Sequence, residues 1–231
     1  MKPWLSQEFD QLFQQIHQRQ CRIITFAGAS SGCGTSTQAY WLAQRLSADQ
    51  PKTLLIDLDL AGSGQGYPKA DWSCQAADFS KHIRVLSKEL DLLPQPQSQQ
   101  TILELRQPQI LAAAVKQWLD DYQYIICDVG NINTANWRNL AIASISHASN
   151  GTILCIAAGK TTESEVLASV QRLEQGNVDL IGTLINDQIN PTLAEEIRRV
   201  MENKAKWLPK IMKQQIRNYL QTNPLLQGKY Q

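Results

Sequence analysis

The run Cys21–Gly28 (CRIITFAG) passes directly into a glycine- and serine-rich loop, ASSGCGTS, and then into an amphipathic segment near Thr35–Leu46 with Ala39, Leu42, Ala43 and Leu46 on one face. No other feature constrains the chain as much. A β-branched and aromatic run of strand length that feeds a helix through glycines is the opening of a βαβ unit. Further apolar runs at Thr53–Leu58, Tyr124–Val129, Thr152–Ala158 and Leu180–Asn186 read as strands, and Asn136–Ser146 and Thr162–Leu173 read as helices between them. Ile83–Leu86 and Leu90–Leu93 are expected to be short strands around a Lys88-Glu89 turn. Ile102–Leu105 and Ile110–Leu119 are expected to be helical, with Pro108 available for a first turn. Strands alternating with helices of this length predict an α/β fold in three layers, a mostly parallel central sheet flanked by helices.

The remaining segments complete this frame. Leu5, Phe9, Leu12, Phe13 and Ile16 fall at helical spacing within Leu5–Arg19, and Pro191–Met201 and Pro209–Leu220 are expected to be helices opened by proline. Ala61–Lys81 reads as loop. Pro94–Gln100 reads as a surface connection, since its two prolines deny donors to a sheet. The expected division is an N-terminal helix over 1–20, the α/β domain over 21–203 and a basic amphipathic tail over 204–231.

Composition narrows the function classes. With 231 residues the chain can build a continuous core, and 22 Lys+Arg against 21 Asp+Glu leave a net charge of +1. That balance excludes a globally basic nucleic-acid binder, so no nucleic-acid partner is expected. No apolar run approaches the roughly 18 residues of a membrane span, and the first residues lack the apolar core of a signal peptide. Five cysteines without a CxxC pair read as buried, reduced thiols. A cytoplasmic protein is the expectation.

Ligands of an open parallel sheet collect at the carboxyl ends of its strands, above all where a glycine-rich turn enters a helix. There, glycines let the backbone approach phosphate oxygens, and successive N–H groups hold the charge. Gly32, Cys33, Gly34, Thr35, Ser36 and Thr37 are the candidate phosphate-binding residues. In the pattern G-x-x-x-x-G-K-[ST] the lysine reaches the β- and γ-phosphates and the hydroxyl reaches Mg²⁺. Aligned on Gly34, the chain has Ala29 at the first glycine, Thr35 at the lysine and Ser36 at the metal ligand. A short neutral threonine cannot replace an ammonium on a flexible stem. Asp57 and Asp59 end the second strand, and Asp128 ends the run YIICDVG; these three acids are the candidate catalytic residues, with Ser36, Asp57 and Asp128 the candidate metal ligands.

On FAGASSGCGTST, TLLIDLDL, YQYIICDVG and the later GTILCIAAGKTTESEVLASVQRLEQGNVDLIGTLIND, the chain resembles the MinD/ParA-type P-loop ATPases. Within these it is most similar to the bacterial tyrosine kinases of capsule and exopolysaccharide synthesis, over roughly Glu8 to Asn190. The resemblance implies that Asp57 and Asp59 form the second acidic motif, Asp128 the Walker B acid and Asn186 an adenine contact. ATP or ADP and Mg²⁺ are the implied cofactors. The chain departs from the pattern at Thr35, and at Ser30, where relatives carry a signature lysine. Leu60-Ala61-Gly62 stands where an arginine is expected, and only Tyr219 and Tyr230 stand in place of a C-terminal tyrosine cluster. Glu8, Gln11 and Gln14 occupy the helix where the family has an acid and two arginines for assembling a ring, so a homo-oligomer without that contact is what the resemblance allows.

A hydrogen bond to a charged group contributes roughly 1.5–3 kcal/mol, so loss of the lysine weakens triphosphate binding by about one to two orders of magnitude. The implied protein is a degenerate kinase relative, a regulatory or scaffold subunit of exopolysaccharide or capsule synthesis or export, partnered by an inner-membrane polysaccharide co-polymerase or a similar component. Two other readings stand beside it. One is an active ATPase or tyrosine kinase using Lys52, Arg138 or Lys160 as a substitute cation. The other is a localisation factor similar to the CpaE/TadZ proteins of pilus assembly. In the tail, Lys204, Lys206, Lys210, Lys213 and Arg217 alternate with Trp207, Leu208, Ile211, Met212, Ile216 and Tyr219, which permits contact with the inner face of a membrane.

Overall fold

The apolar runs become strands β1 (Ile23–Gly28), β2 (Thr53–Asp57), β3 (Arg84–Ser87), β4 (Leu90–Leu93), β5 (Tyr124–Asn131), β6 (Gly151–Ala157) and β7 (Leu180–Asn186). In the computed structural model, which describes residues 3–75, 79–134, 139–187, 194, 197–198, 200–201 and 209–223, they form one sheet ordered β3-β4-β2-β5-β1-β6-β7. All neighbours are parallel except the β3–β4 hairpin, which adds an antiparallel edge. The expected mostly parallel α/β sheet is therefore present.

Side chains alternate across the strands and divide the core by face. Ile24 and Phe26 of β1, Leu55 of β2 and Ile126 of β5 point to one face. There they meet α1 (Gln7–Gln18), through Phe9, Leu12 and Ile16, and α2 (Thr35–Ser47), through Ala39, Leu42, Ala43 and Leu46. Ile23, Leu54, Ile56, Ile125 and Cys127 point the other way. They are covered by α3 (Gln99–Leu105) and α4 (Pro108–Trp118), whose Trp118 stacks edge-on against Trp72. Beside them, α5 (Ile142–Ser146) and α6 (Glu163–Gln175) pack Ile142 and Leu173 against Ala27 and Leu154. All five cysteines are free and buried.

Two segments differ from expectation. Pro94–Gln100 is not a surface connection: Pro94, Gln95 and Pro96 are buried. Proline lacks a donor but keeps its carbonyl, and Trp72 Nε1 donates to Pro94 O at 2.7 Å. Ala70 N–H donates to Gln95 O and Gln97 N–H to Ala70 O, making a short bridge. Ser98 then caps α3, which starts three residues earlier than expected. The helix expected over Asn136–Ser146 begins only at Ile142. Asn139 Nδ2 instead donates to the carbonyls of Thr134 and Asn131, holding the chain in a turn before α5; residues 135–138 lie outside the described residues.

The chain divides into two compact units, Met1–Ala157 with Thr161–Asn186, and Ala158–Lys160 with Asp187–Gln231. In the second, α7 (Lys210–Thr222) follows Pro209, with Met212 and Tyr219 exposed. Most of the expected helix Pro191–Met201 and the tail residues Lys204, Lys206, Trp207 and Leu208 lie outside the described residues. Among the described residues no helix is long and apolar enough to cross a membrane.

Candidate functional site

The site begins with a property of the ladder. Asp57 and Asp128, the last residue of β2 and its partner on β5, are register neighbours on parallel strands, so their side chains leave the sheet on the same side, about 5 Å apart at the backbone. Asp57 is 1% exposed and Asp128 0%. No salt bridge among the described residues reaches Asp57, Asp59 or Asp128.

Buried carboxylates without a cation resist ionisation. Burial raises Asp57 to about 6 against the lowering effect of hydrogen bonds from the N–H groups of Gln65 and Asp59. Burial raises Asp128 to about 7; the Ser36 hydroxyl bonded to it opposes the rise, and the Asp57 charge adds to it. Asp59 is also raised by burial, although it accepts the N–H groups of Gly62 and Gly64. Gly130 (φ 66) crosses directly over Asp59, where a Cβ would collide with the carboxylate, so this crossing requires glycine.

The loop after β1 supplies the other half. Gly34 (φ 91) caps α2 in the left-handed region, and a Cβ there would strike the Asn186 amide. The N–H groups of Gly34, Thr35, Ser36 and Thr37 have no carbonyl within the helix to bond, and none bonds elsewhere among the described residues. Together with the helix dipole these groups form an anion cradle. A cavity of about 480 Å³ opens on the loop, lined by Ser30–Thr37, Asp59, Ala61–Gly64 and Gly130–Asn131. A larger cavity, of about 970 Å³, lies around Arg22, Lys52 and Tyr122 at the other end of the strands, away from the acids and the loop.

The two positions expected to carry lysine line the cavity, but their hydroxyls are engaged by neighbours. Thr35 is 6% exposed, its Oγ1 hydrogen-bonded to Cys33 Sγ at 3.1 Å. Ser30 Oγ lies 2.7 Å from Thr161 Oγ1, which accepts the Ala157 N–H. Lys52, a candidate substitute, precedes β2 and so stands at the opposite end from Asp57; it pairs with Asp91 at 3.5 Å and lies over the Tyr122 ring. Lys160 is exposed in the second unit, and Arg138 lies outside the described residues. Asn186 ends β7 against the loop, donating to Cys33 O at 3.1 Å.

Three contributors had no sequence signal. Gln65 Nε2 donates to Asp128 Oδ2 at 2.8 Å and to Ser36 O at 2.9 Å. Gln95 Nε2 donates to Asp59 O and Gly62 O. Asn133 Nδ2 ties Ala29 O to Glu165 O and Ser169 Oγ. Only the glycines flanking Gln65 hint at a special backbone path.

The donor set fits Mg²⁺ in company with phosphate. No cluster of three or more His, Cys, Asp or Glu among the described residues is arranged to hold a metal alone. Two carboxylates and the Ser36 hydroxyl form a hard-oxygen set of the kind Mg²⁺ completes with water and phosphate oxygens. Buried acids with no protein cation suit such an ion.

No protein-family model matches the chain, and no curated protein matches it in sequence. Solved structures do match its fold. The kinase domain of Escherichia coli tyrosine kinase ETK superposes with a TM-score of 0.63 at 20% identity, over 80% of this chain and 75% of that one. A ParA family ATPase from Chlorobium tepidum TLS gives 0.53 at 17% identity, over 89% and 95%. Cobyrinic acid a,c-diamide synthase from Mycobacterium smegmatis, with bound ADP and magnesium, gives 0.53 at 18% identity, over 71% and 74%. The chain thus carries the P-loop ATPase fold common to bacterial tyrosine kinase domains and ParA-type ATPases.

Proposed function

We propose that the protein is a catalytically degenerate relative of the polysaccharide tyrosine kinases that serves as a regulatory or scaffold subunit of exopolysaccharide or capsule synthesis or export. The observation that carries this reading is the inward engagement of Thr35 and Ser30, whose hydroxyls bond to Cys33 and Thr161. Neither position presents a cation to the cavity. The N–H groups of Gly34–Thr37 would hold phosphate, and Ser36, Asp57 and Asp128 would hold Mg²⁺ or its water shell. Bound Mg²⁺ supplies neutralisation of phosphate charge, but phosphoryl transfer needs further positive charge on the transferring group, and this loop lacks the lysine that provides it. The protein partner fitting this role is an inner-membrane polysaccharide co-polymerase or another component of the same machinery, met at the cytoplasmic face of the membrane.

Calorimetry with ADP and ATP in Mg²⁺ tests the reading on wild type and Thr35→Lys. Weak or absent binding by wild type is expected, tightened about 10–100-fold by the restored lysine, the equivalent of one hydrogen bond to a charged group. Tight binding by wild type, with Mg²⁺-dependent phosphotyrosine on Tyr219 or Tyr230 that Asp57→Asn abolishes, would overturn it.

A further inference from the structure

Among the described residues, Gln65 is the one that bonds both strand-end acids and the first turn of α2. It lies between Gly64 (φ 51) and Gly66 (φ 76), whose left-handed conformations fold the loop after β2 back over the strand ends. Its backbone N–H donates to Asp57 Oδ2 at 2.7 Å. Its carboxamide nitrogen has two hydrogens, and both are used, one on Asp128 Oδ2 and the other on the Ser36 carbonyl. The cavity stops short of the pair: Asp59 and Ala61–Gly64 line it, while Asp57 and Asp128 are buried behind this loop.

Water bound to a hard divalent cation donates to a carboxylate as the Gln65 amide does here, and direct coordination would use the same oxygen lone pairs. The carboxamide takes one lone pair of Asp128 Oδ2 beside Ser36, and a cation that coordinates through that lone pair competes with it. We propose that Gln65 is a displaceable strap: it closes the acid pair while no divalent cation is present, and a hard divalent cation reaches the pair only by displacing the carboxamide. The proposal rests on the reading that Ser36 and the two acids hold a divalent cation beside phosphate. Through this competition Gln65 sets cation affinity. The strap is anchored at Asp57 by a backbone N–H, so the side chain can leave while the loop stays.

The test uses Mn²⁺ titrated into the full chain in a fixed concentration of inorganic phosphate, without nucleotide, and read by the electron paramagnetic resonance of free Mn²⁺ and by calorimetry. Gln65→Ala keeps the backbone N–H to Asp57 and removes both carboxamide bonds; it is expected to bind Mn²⁺ about tenfold tighter than wild type, the equivalent of one charge-assisted hydrogen bond. Gln65→Asn, one methylene too short to span both acceptors, is expected to fall between, and it carries the test if Gln65→Ala does not fold. Unchanged or weaker Mn²⁺ binding in a folded Gln65→Ala would make Gln65 a structural tie and overturn the proposal. Absence of Mn²⁺ binding in wild type and variants alike would overturn it too, by removing the cation site. ATP titration of the same samples judges the proposed function separately, since that reading depends on the missing lysine.

Discussion

Asp57 and Asp128 are raised to about 6 and about 7 from an ordinary 3.8, so in metal-free buffer the folded protein holds protons that the unfolded chain releases. Where the native state binds more protons, stability falls as pH rises. The fall spans the window from about pH 4, where the unfolded carboxylates ionise, to about pH 7, where the folded ones do. Asp128→Asn, which keeps the shape and removes the charge, is expected to raise the melting temperature at pH 7.5 in EDTA and to flatten the pH dependence. A lower melting temperature with an unchanged pH profile would mean that the acid is ionised and satisfied in the native state. The acids, the loop glycines and Ser36 were legible in the sequence because strand ends and glycine turns have local signatures. Gln65, Gln95 and Asn133 were not, because a carboxamide acquires its role from the path of a loop, and this chain is rich in glutamines with no such role.

Among the elements, α1 is bound into the core. Phe9, Leu12 and Ile16 share one apolar cluster with α2. Arg45 of α2 reaches Asp10 at 2.8 Å and lies 4.3 Å from the centre of the Phe13 ring. Ile16 is 0% exposed, and Ile16→Ala should cost about 2–5 kcal/mol in urea unfolding, as a large-to-small change in a packed core does. A cost below about 1 kcal/mol would mean that α1 is only loosely docked. Strand identities followed directly from apolar runs, since a parallel sheet covered on both faces needs continuous apolar strands. The path of Pro94–Gln100 did not, because proline marks a lost donor and says nothing of a carbonyl that Trp72 can use. The start of α5 was hidden for a similar reason: the Asn139 side chain satisfies backbone carbonyls and holds a turn where periodicity alone reads helix.

At the scale of the whole molecule, the buried residues of every apolar cluster found among the described residues fall between Phe9 and Ile181, within the first unit. α7 carries Lys213 and Arg217 with Met212 and Tyr219 exposed, a composition suited to an anionic lipid surface. Flotation with vesicles containing anionic lipid is expected to carry the protein at low salt and to lose it at 0.5 M salt, as screening requires. Flotation that survives the salt, or fails at both, would place the apolar face of α7 against protein instead. The expected division at 203/204 rests on the basic tail; no change of composition marks Asn186, where the first unit ends.

The register of Asp57 on Asp128 has a consequence for substitution. The spacing of the acids is written into the hydrogen-bond ladder of β2 and β5, and a slip of one residue would turn one of them to the other face. The charge that meets a phosphate, by contrast, is set by single side chains of one loop, Ser30 and Thr35. A point substitution in the loop can therefore change the charge that meets a phosphate while the acid pair stays in register.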